Sequence, residues 1–587
     1  MKLIPSFGEI SSKTKDTFKR FPFTISWTIV GTLFTLFAIE TNTFDDIFYG
    51  KIILTFILGI SWFIASRFFE EQFKTSKEWF MLVPLVFILA FYFHLPTDET
   101  RFNNEFIIRF ILYFIGGHLL VFVAPFVLKW NKSAYFNYLK SIFVAIVRSL
   151  FFSLILYLGI VLALLAVKHL FNVDIKGERF FQIFIICLGI VNTWIYLSDF
   201  PKDIHSQITI DYTKALEVLV KYILIPLVIL YLIILYAYSL KIVINWNLPK
   251  GWVSYLVIAL SFLGFIIQIL INPIQKTSDS RPIKRFHPWF YYLLLPLIGL
   301  LFVAIFKRIN EYGITENRYF VLVLALWILA MTLYMLFSKI KRILAFPLSL
   351  AIITLFISIG FWGVFSVSTN SQVSRFEKVY NDIKNTDFTT TYQKKDQLRS
   401  IINYLNKKEE IDKITPILGY KPSTAFSTKS NWQLQSKLMD TLAIKVTDKP
   451  TDKYRNYHYS INEFNMLINT KGYDYLKNMY LGSNGNEKEK TIDKYRFSLQ
   501  KESNIIAIWK EDEFLGNIDC SELINKLKQQ DKNYNINSSL MTLEKEIASL
   551  KIKMLFKSIS RSNPNKEDKN YMLNANLYVL IKEKNAE

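Results

Sequence analysis

Cysteine is almost absent from this chain: Cys187 and Cys520 are the two in 587 residues. One falls in an apolar run and the other in a polar region. Neither a disulfide framework nor a cysteine-based zinc site can be built from them. Histidine is nearly as scarce. None of the six lies in an HExxH pattern or four residues from another. The glycine patterns that cradle nucleotide phosphates, GxGxxG and GxxxxGKS/T, are missing. No cofactor and no metal is expected. Charge is thin as well. Asp, Glu, Lys and Arg make up 20% of the residues, too little to cover a water-soluble chain of this length.

What fills the sequence is hydrocarbon. It is 52% hydrophobic with 51 Phe, and its mean hydropathy is +0.25. The apolar residues gather in blocks through the first 366 positions. Each block approaches the ~20 residues with which a helix crosses ~30 Å of lipid. Eleven spans are predicted, near 21–39, 52–67, 79–95, 106–128, 142–167, 181–198, 218–239, 252–272, 287–306, 320–338 and 344–366. Pro84, Pro125, Pro226, Pro296 and Pro347 fall inside spans and predict kinks. The expected fold is an all-α polytopic membrane bundle of about 11 transmembrane helices, residues 1–366, followed by a soluble α+β domain, residues 367–587. No small-residue cleavage site follows the first apolar run, so no cleavable signal peptide is expected.

Beyond residue 366 the pattern changes. "DQLRSIINYLNKK" puts Leu398, Ile401, Ile402 and Leu405 on one helix face. "KYRFSLQ" and "LNANLYVLI" alternate as strands, and "NIIAIWKEDEFLGNID" reads as two strands about a polar turn. Asp519 and Glu522 mark a helix start. Gly482 to Thr491 reads as a loop by composition.

The formal charge of +21 invites a nucleic-acid partner. Residues 367–587 do not support one: 36 Lys and Arg face 28 Asp and Glu, with no basic helix or stacking module. The remaining excess lies in the short linkers. Those on the N-terminal side hold 20 Lys and Arg and those opposite hold 10. The positive-inside rule then places the N-terminus in the cytoplasm. Eleven spans place residues 367–587 outside, in the periplasm.

Several stretches resemble a known family. They are "KRINEYGITENRYFVLVLALW", "FIIQILINPIQ", "HPWFYYLLLPLIGLLFVAI" and "GHLLVFVAPFVLKWN". Together they resemble the bacterial membrane family catalogued as domain of unknown function 4153. The C-terminal part resembles the extension of its Bacteroidetes-type members. The resemblance implies an inner-membrane protein and supplies no catalytic residue.

Three groups of residues stand out. Lys307, Arg308, Glu311, Tyr312 and Arg318 crowd one outer linker. They read either as a clasp, with Glu311 paired to Arg318 or Arg308, or as an anion site for a phosphate or carboxylate headgroup. His118 and Arg148 lie within adjacent spans, where ionisable groups mark sites or paths. They suggest a shared polar cavity, against the plainer reading of a carbonyl-bonded His118 and a snorkelling Arg148. Asp45 and Asp46 sit in the first outer linker. Paired acids there are a feature of C-type membrane glycosyltransferases, but the linker is short, a bare Asp-Asp pair is common, and ordinary acidic capping of an outer loop is the preferred reading. Asp199 reads as a helix stop, and Glu105 and Arg109 as an i,i+4 pair. The composite expectation is a non-enzymatic protein that senses or binds a ligand, with the bilayer and an anionic or lipid-linked ligand as partners. A lipid-linked glycosyltransferase and a transporter are the alternatives. A protein partner is not legible.

Overall fold

The computed structural model describes residues 7–73, 78–95, 104–206, 209–210, 212–245, 252–275, 280–426, 431–447, 457–461, 468–482, 489–500, 503–528, 536–562 and 571–583. By contacts the chain divides into two compact units. One comprises residues 1–389 and 394–444, the other 390–393 and 445–587. Residues 394–444, set beyond the bundle by composition, are thus grouped with the apolar helices.

The first unit opens with α1 (Phe7–Arg20) and α2 (Pro22–Glu40), then α3 (Ile47–Glu70), α4 (Leu82–His94), α5 (Asn104–Val123) and α6 (Lys132–Phe171). Next come α7 (Gly177–Ser198), α8 (Lys214–Asn245), α9 (Trp252–Ile271), α10 (Arg281–Tyr312), α11 (Glu316–Phe337) and α12 (Ala345–Phe356). Among the described residues nine helices are long and apolar enough to cross a membrane. Two shorter apolar helices, Trp79–His94 and Ala345–Phe356, stand at the third and eleventh expected positions.

Small residues bring the helices together. A Cβ on Gly31 would lie 2.7 Å from the Phe56 side chain, and one on Gly117 2.5 Å from Ser61 Oγ. Glycine lets α2 and α5 approach α3 this closely, which is how helices gain packing in lipid. The indole N–H of Trp27 adds a 2.8 Å bond to the Phe56 carbonyl.

The prolines act differently from the kinks expected of them. Pro84 and Pro347 fall in the first turns of α4 and α12, where no N–H is needed. Pro125 lies in the 3₁₀ turn that ends α5. Of these five, Pro226 and Pro296 are interior, and Pro288 lies inside α10 as well. Pro226 follows a π-helical turn, Leu219–Leu224, in which Ile225 N bonds Val220 O. The wider turn relieves the clash that a proline ring makes with the carbonyl four residues back.

The last span is also shorter than 344–366. Gly360, at φ +79°, breaks the chain after α12. Trp362 Nε1 caps Phe356 O at 3.0 Å. α13 (Val364–Lys384) then starts, followed by α14 (Tyr392–Lys407) and α15 (Asn431–Thr441). Leu398, Ile401, Ile402 and Leu405 are buried against Phe376, Ile383 and Leu438, as the helical period requires.

The second unit is antiparallel β-sheet with one described α-helix. Its strands are β1 (Tyr457–Ser460), β2 (Tyr475–Gly482), β3 (Glu489–Ile492), β4 (Tyr495–Leu499), β5 (Ile505–Lys510), β6 (Glu513–Asp519), β7 (Thr542–Ile547), β8 (Leu550–Ser562) and β9 (Tyr571–Glu583). One sheet runs β1-β8-β9-β2 with β7 also on β8, and the other is the meander β3-β4-β5-β6. The alternating residues Tyr495, Phe497 and Leu499 share one core with Ala575, Leu577, Val579 and Ile581. α16 (Ser521–Lys528) begins where Asp519 Oδ1 accepts from Ser521 N at 2.8 Å. Glu522 pairs with Lys526 rather than completing a capping box. Most of the 482–491 loop lies outside the described residues.

Candidate functional site

α2, α3, α5, α6 and α7 line a half-open cavity of about 490 Å³. Most of its wall is apolar, including Ile57, Phe114, Leu150 and Leu188. Hydroxyls from Thr28, Thr35, Ser61 and Ser149, the Asn192 amide and the His118 imidazole break that wall. Among the described residues no Asp, Glu, Lys or Arg lines it.

Local structure explains how these groups arrive. α7 contains a π-helical turn, Cys187–Val191, closed by Asn192 N on Cys187 O. A π turn inserts an extra residue and re-aims the side chains after it. Gly189 within the turn lies against Thr32 of α2: a Cβ there would be 2.4 Å from Thr32 Oγ1. Asn192 follows the turn, and its side-chain Oδ1 is buried with no hydrogen-bond partner among the described residues. His118 Nδ1 lies 2.9 Å from Phe114 O. A carbonyl only accepts, so Nδ1 carries the proton.

Arg148 does not join His118. It bonds Asp199 Oδ2 at 3.0 Å, and Lys13 holds Asp199 Oδ1 at 3.1 Å. These groups border a separate, smaller cavity with Asn137, Lys140 and Ser141. Asp199 is therefore an ion-pair centre as well as a helix end.

The crowded linker is a clasp built differently from the expected Glu311 pairing. Gly313, at φ +70°, ends α10. Arg318 Nη1 donates to the carbonyls of Tyr312 and Gly313 at 3.1 and 2.8 Å, and its guanidinium lies 5.4 Å from the Tyr312 ring centre. From α13, Gln372 Nε2 donates to Tyr312 O and Ile314 O at 3.1 and 3.0 Å. Arg375 reaches the carbonyls of Asn310 and Glu311. Cations and an amide thus satisfy carbonyls that a helix C-terminus leaves open. Tyr312 and Glu311 are exposed, as is Lys307, while Arg308 is half-buried.

A second polar layer was legible in the sequence only in its Glu105–Arg109 pair. Arg109 pairs with Glu105 at the expected spacing, donates to Ser358 O at 3.1 Å, and stands 4.7 Å from the centre of the Phe365 ring. Lys408 stands 5.7 Å from the same ring and pairs with buried Glu316 at 2.5 Å. Phe365 at the start of α13 is therefore contacted by two cations, each neutralised by its own carboxylate. Glu316 lies within the quoted "ENRYF" stretch, but its partner is far along the chain and gives no local signal.

The remaining candidates are simpler. Asp46 Oδ1 caps α3 by accepting from Phe48 N at 2.9 Å, and Asp45 is exposed beside it. Among the described residues no cluster of three or more His, Cys, Asp or Glu side chains could hold a metal ion. Burial pushes the Cys520 thiol up to about 12, away from thiolate reactivity.

No solved structure was found to match the chain. An uncharacterized protein of Pasteurella multocida (strain Pm70) is 26% identical over 392 residues, covering 65% of this chain and 62% of that protein. The chain thus spans less than two thirds of that relative's length. The family model described as Domain of unknown function (DUF4153) matches residues 23–404, a stretch that holds all the helices around the cavity and the clasp. On that match the chain belongs to the DUF4153 family.

Proposed function

We propose that the protein is a non-enzymatic binding protein of a bacterial inner membrane, and that it holds an amphiphilic ligand in the cavity framed by α2, α3, α5, α6 and α7. The observation that carries this reading is the cavity itself. Its volume of about 490 Å³ falls in the range of ligand sites, which are mostly apolar with a few convergent polar groups. One of the polar groups, Asn192, directly follows a π turn, a distortion frequent at functional sites. The helical segment after α12 is tied to α10 and α11 by Gln372, Arg375 and the Lys408–Glu316 pair, which offers a route for reporting occupancy. The linker charges favour a cytoplasmic N-terminus. The capping role of Asp46 and the use of Arg318 on carbonyls leave the glycosyltransferase and headgroup-site readings with less support.

The test is photolabelling of the full chain in lipid nanodiscs with a long-chain alkyl diazirine. Label should concentrate on peptides of α2, α6 and α7 that line the cavity. Leu188→Trp, which places an indole into the cavity from a partly exposed position, should suppress that label while leaving label on lipid-facing α8 unchanged. Equal labelling of both variants would remove the reading.

A further inference from the structure

Resting on that reading, we infer that the cavity selects a neutral amphiphile whose polar end donates hydrogen bonds, of the chemical class of a monoacylglycerol or long-chain alcohol, and rejects a phosphate-bearing one.

The inference comes from counting donors and acceptors on the wall. Four lining hydroxyls spend their protons on their own helices. Thr28 Oγ1 donates to Thr24 O and Thr35 Oγ1 to Gly31 O, both at 2.8 Å. Ser149 Oγ donates to Ile146 O at 3.1 Å and Ser61 Oγ to Leu58 O at 3.3 Å. A hydroxyl that has donated retains lone pairs and can only accept. His118 has likewise given its Nδ1 proton to Phe114 O, which leaves Nε2 of the neutral ring as an acceptor. Asn192 Oδ1 is a buried acceptor without a partner. A buried acceptor left unpaired costs free energy that a ligand donor recovers. These acceptors ask for O–H or N–H groups on a ligand; the Asn192 side-chain NH2 and the Thr32, Thr193 and Tyr196 hydroxyls also border the cavity.

The same wall penalises charge. With no Lys or Arg lining it, a phosphate would lose its hydration without a compensating cation. Three cations of this half of the molecule are committed elsewhere, Arg148 and Lys13 to Asp199, and Arg20 to Glu71. The apolar remainder of the lining suits an alkyl chain.

The experiment displaces the alkyl diazirine from the full chain in nanodiscs with two competitors that share one chain, 1-oleoylglycerol and 1-oleoylglycerol 3-phosphate. The expected result is that the uncharged competitor displaces label at a concentration at least about tenfold lower, the ratio that one well-made polar interaction supports. Asn192→Leu should erase most of that preference while retaining alkyl labelling. The competitor comparison in the unaltered chain stands even if Asn192→Leu fails to fold. Equal or better displacement by the phosphate overturns the inference and leaves the amphiphile-binding reading in place. Absence of cavity labelling overturns both. A preference that survives intact in folded Asn192→Leu removes Asn192 as its source and overturns the assignment.

Discussion

Removing the Arg318 guanidinium would strip donors from the carbonyls of Tyr312 and Gly313 at the end of α10. Hydrogen bonds from a charged group contribute about 1.5–3 kcal/mol, so Arg318→Ala should lower the stability of the helical unit by that order. Glu311→Ala should change it little, because Arg375 binds the Glu311 main-chain carbonyl and not its carboxylate. Thermal unfolding in detergent micelles measures both. Equal losses from the two substitutions would contradict the carbonyl clasp. The residue scale also shows why the crowding of charge in this linker was legible while its purpose was not. Arg318 and Glu311 are close in sequence and opposite in sign, so pairing was the local inference. The competing acceptors were main-chain carbonyls exposed by Gly313, and these are visible only once the turn is built.

The α2–α7 contact depends on a missing side chain. Gly189→Ala would set a methyl 2.4 Å from Thr32 Oγ1. Overpacking of this kind costs about 1–3 kcal/mol. Thr32→Ala in the same chain should restore most of the loss, since the offending oxygen is then gone. The four-way comparison by thermal unfolding tests the contact, and a purely additive outcome would refute it.

In the sheet unit the ends of β4 and β9 are tied electrostatically. Lys494 and the Tyr495 hydroxyl hold the Glu583 carboxyl below the usual glutamate range. A carboxylate depressed in the folded state stabilises above its unfolded pKa, and that contribution is lost as pH falls through the folded value. Acid titration of stability should therefore be shallower in Glu583→Gln than in the unaltered chain over that window. An unchanged slope would show that the carboxylate carries no such linkage.

Elements of this sort divide cleanly by legibility. The alternation in β4 and β9 and the apolar face of α14 are local patterns, and they name the buried residues directly. The spans are local too, since a run of hydrocarbon announces itself. The π turn before Asn192 is different. No proline marks it, and the residue its Gly189 packs against, Thr32, is far upstream. The cavity's most telling group was invisible for that reason. His118 was legible because an imidazole in an apolar run is conspicuous.

At the scale of the whole molecule, the expected orientation rests on where the cations fall. The linkers on the side of α1 hold twice the Lys and Arg of the opposite set, and the bias orients a bundle as it inserts. The structure adds context to two of the outer charges. Lys51 is buried within α3 and donates to Leu95 O at 3.2 Å, and Arg318 is spent on the clasp. Neither behaves as a free linker charge, and on the N-terminal side Lys13, Arg20, Arg67 and Lys202 are likewise held in ion pairs, so the plain count stands as the measure of the bias. Helix number sets the other end. α4 and α12 are short, about 20 and 18 Å at 1.5 Å per residue. If each still passes from one face to the other with its flanking turns, the parity is odd and the sheet unit lies outside. If one of them turns back, the sheet unit lies with the N-terminus. A phosphatase reporter fused after Glu583 should be active, and a cytoplasm-active reporter at the same position silent. Paired fusions after Ser198 and after Phe337, on the side of the N-terminus, should give the reverse. An active cytoplasmic reporter after Glu583, with the Phe337 fusion as expected, would place the change of parity at α12. It would also move the proposed occupancy report of α13 and α14 to the cytoplasmic face.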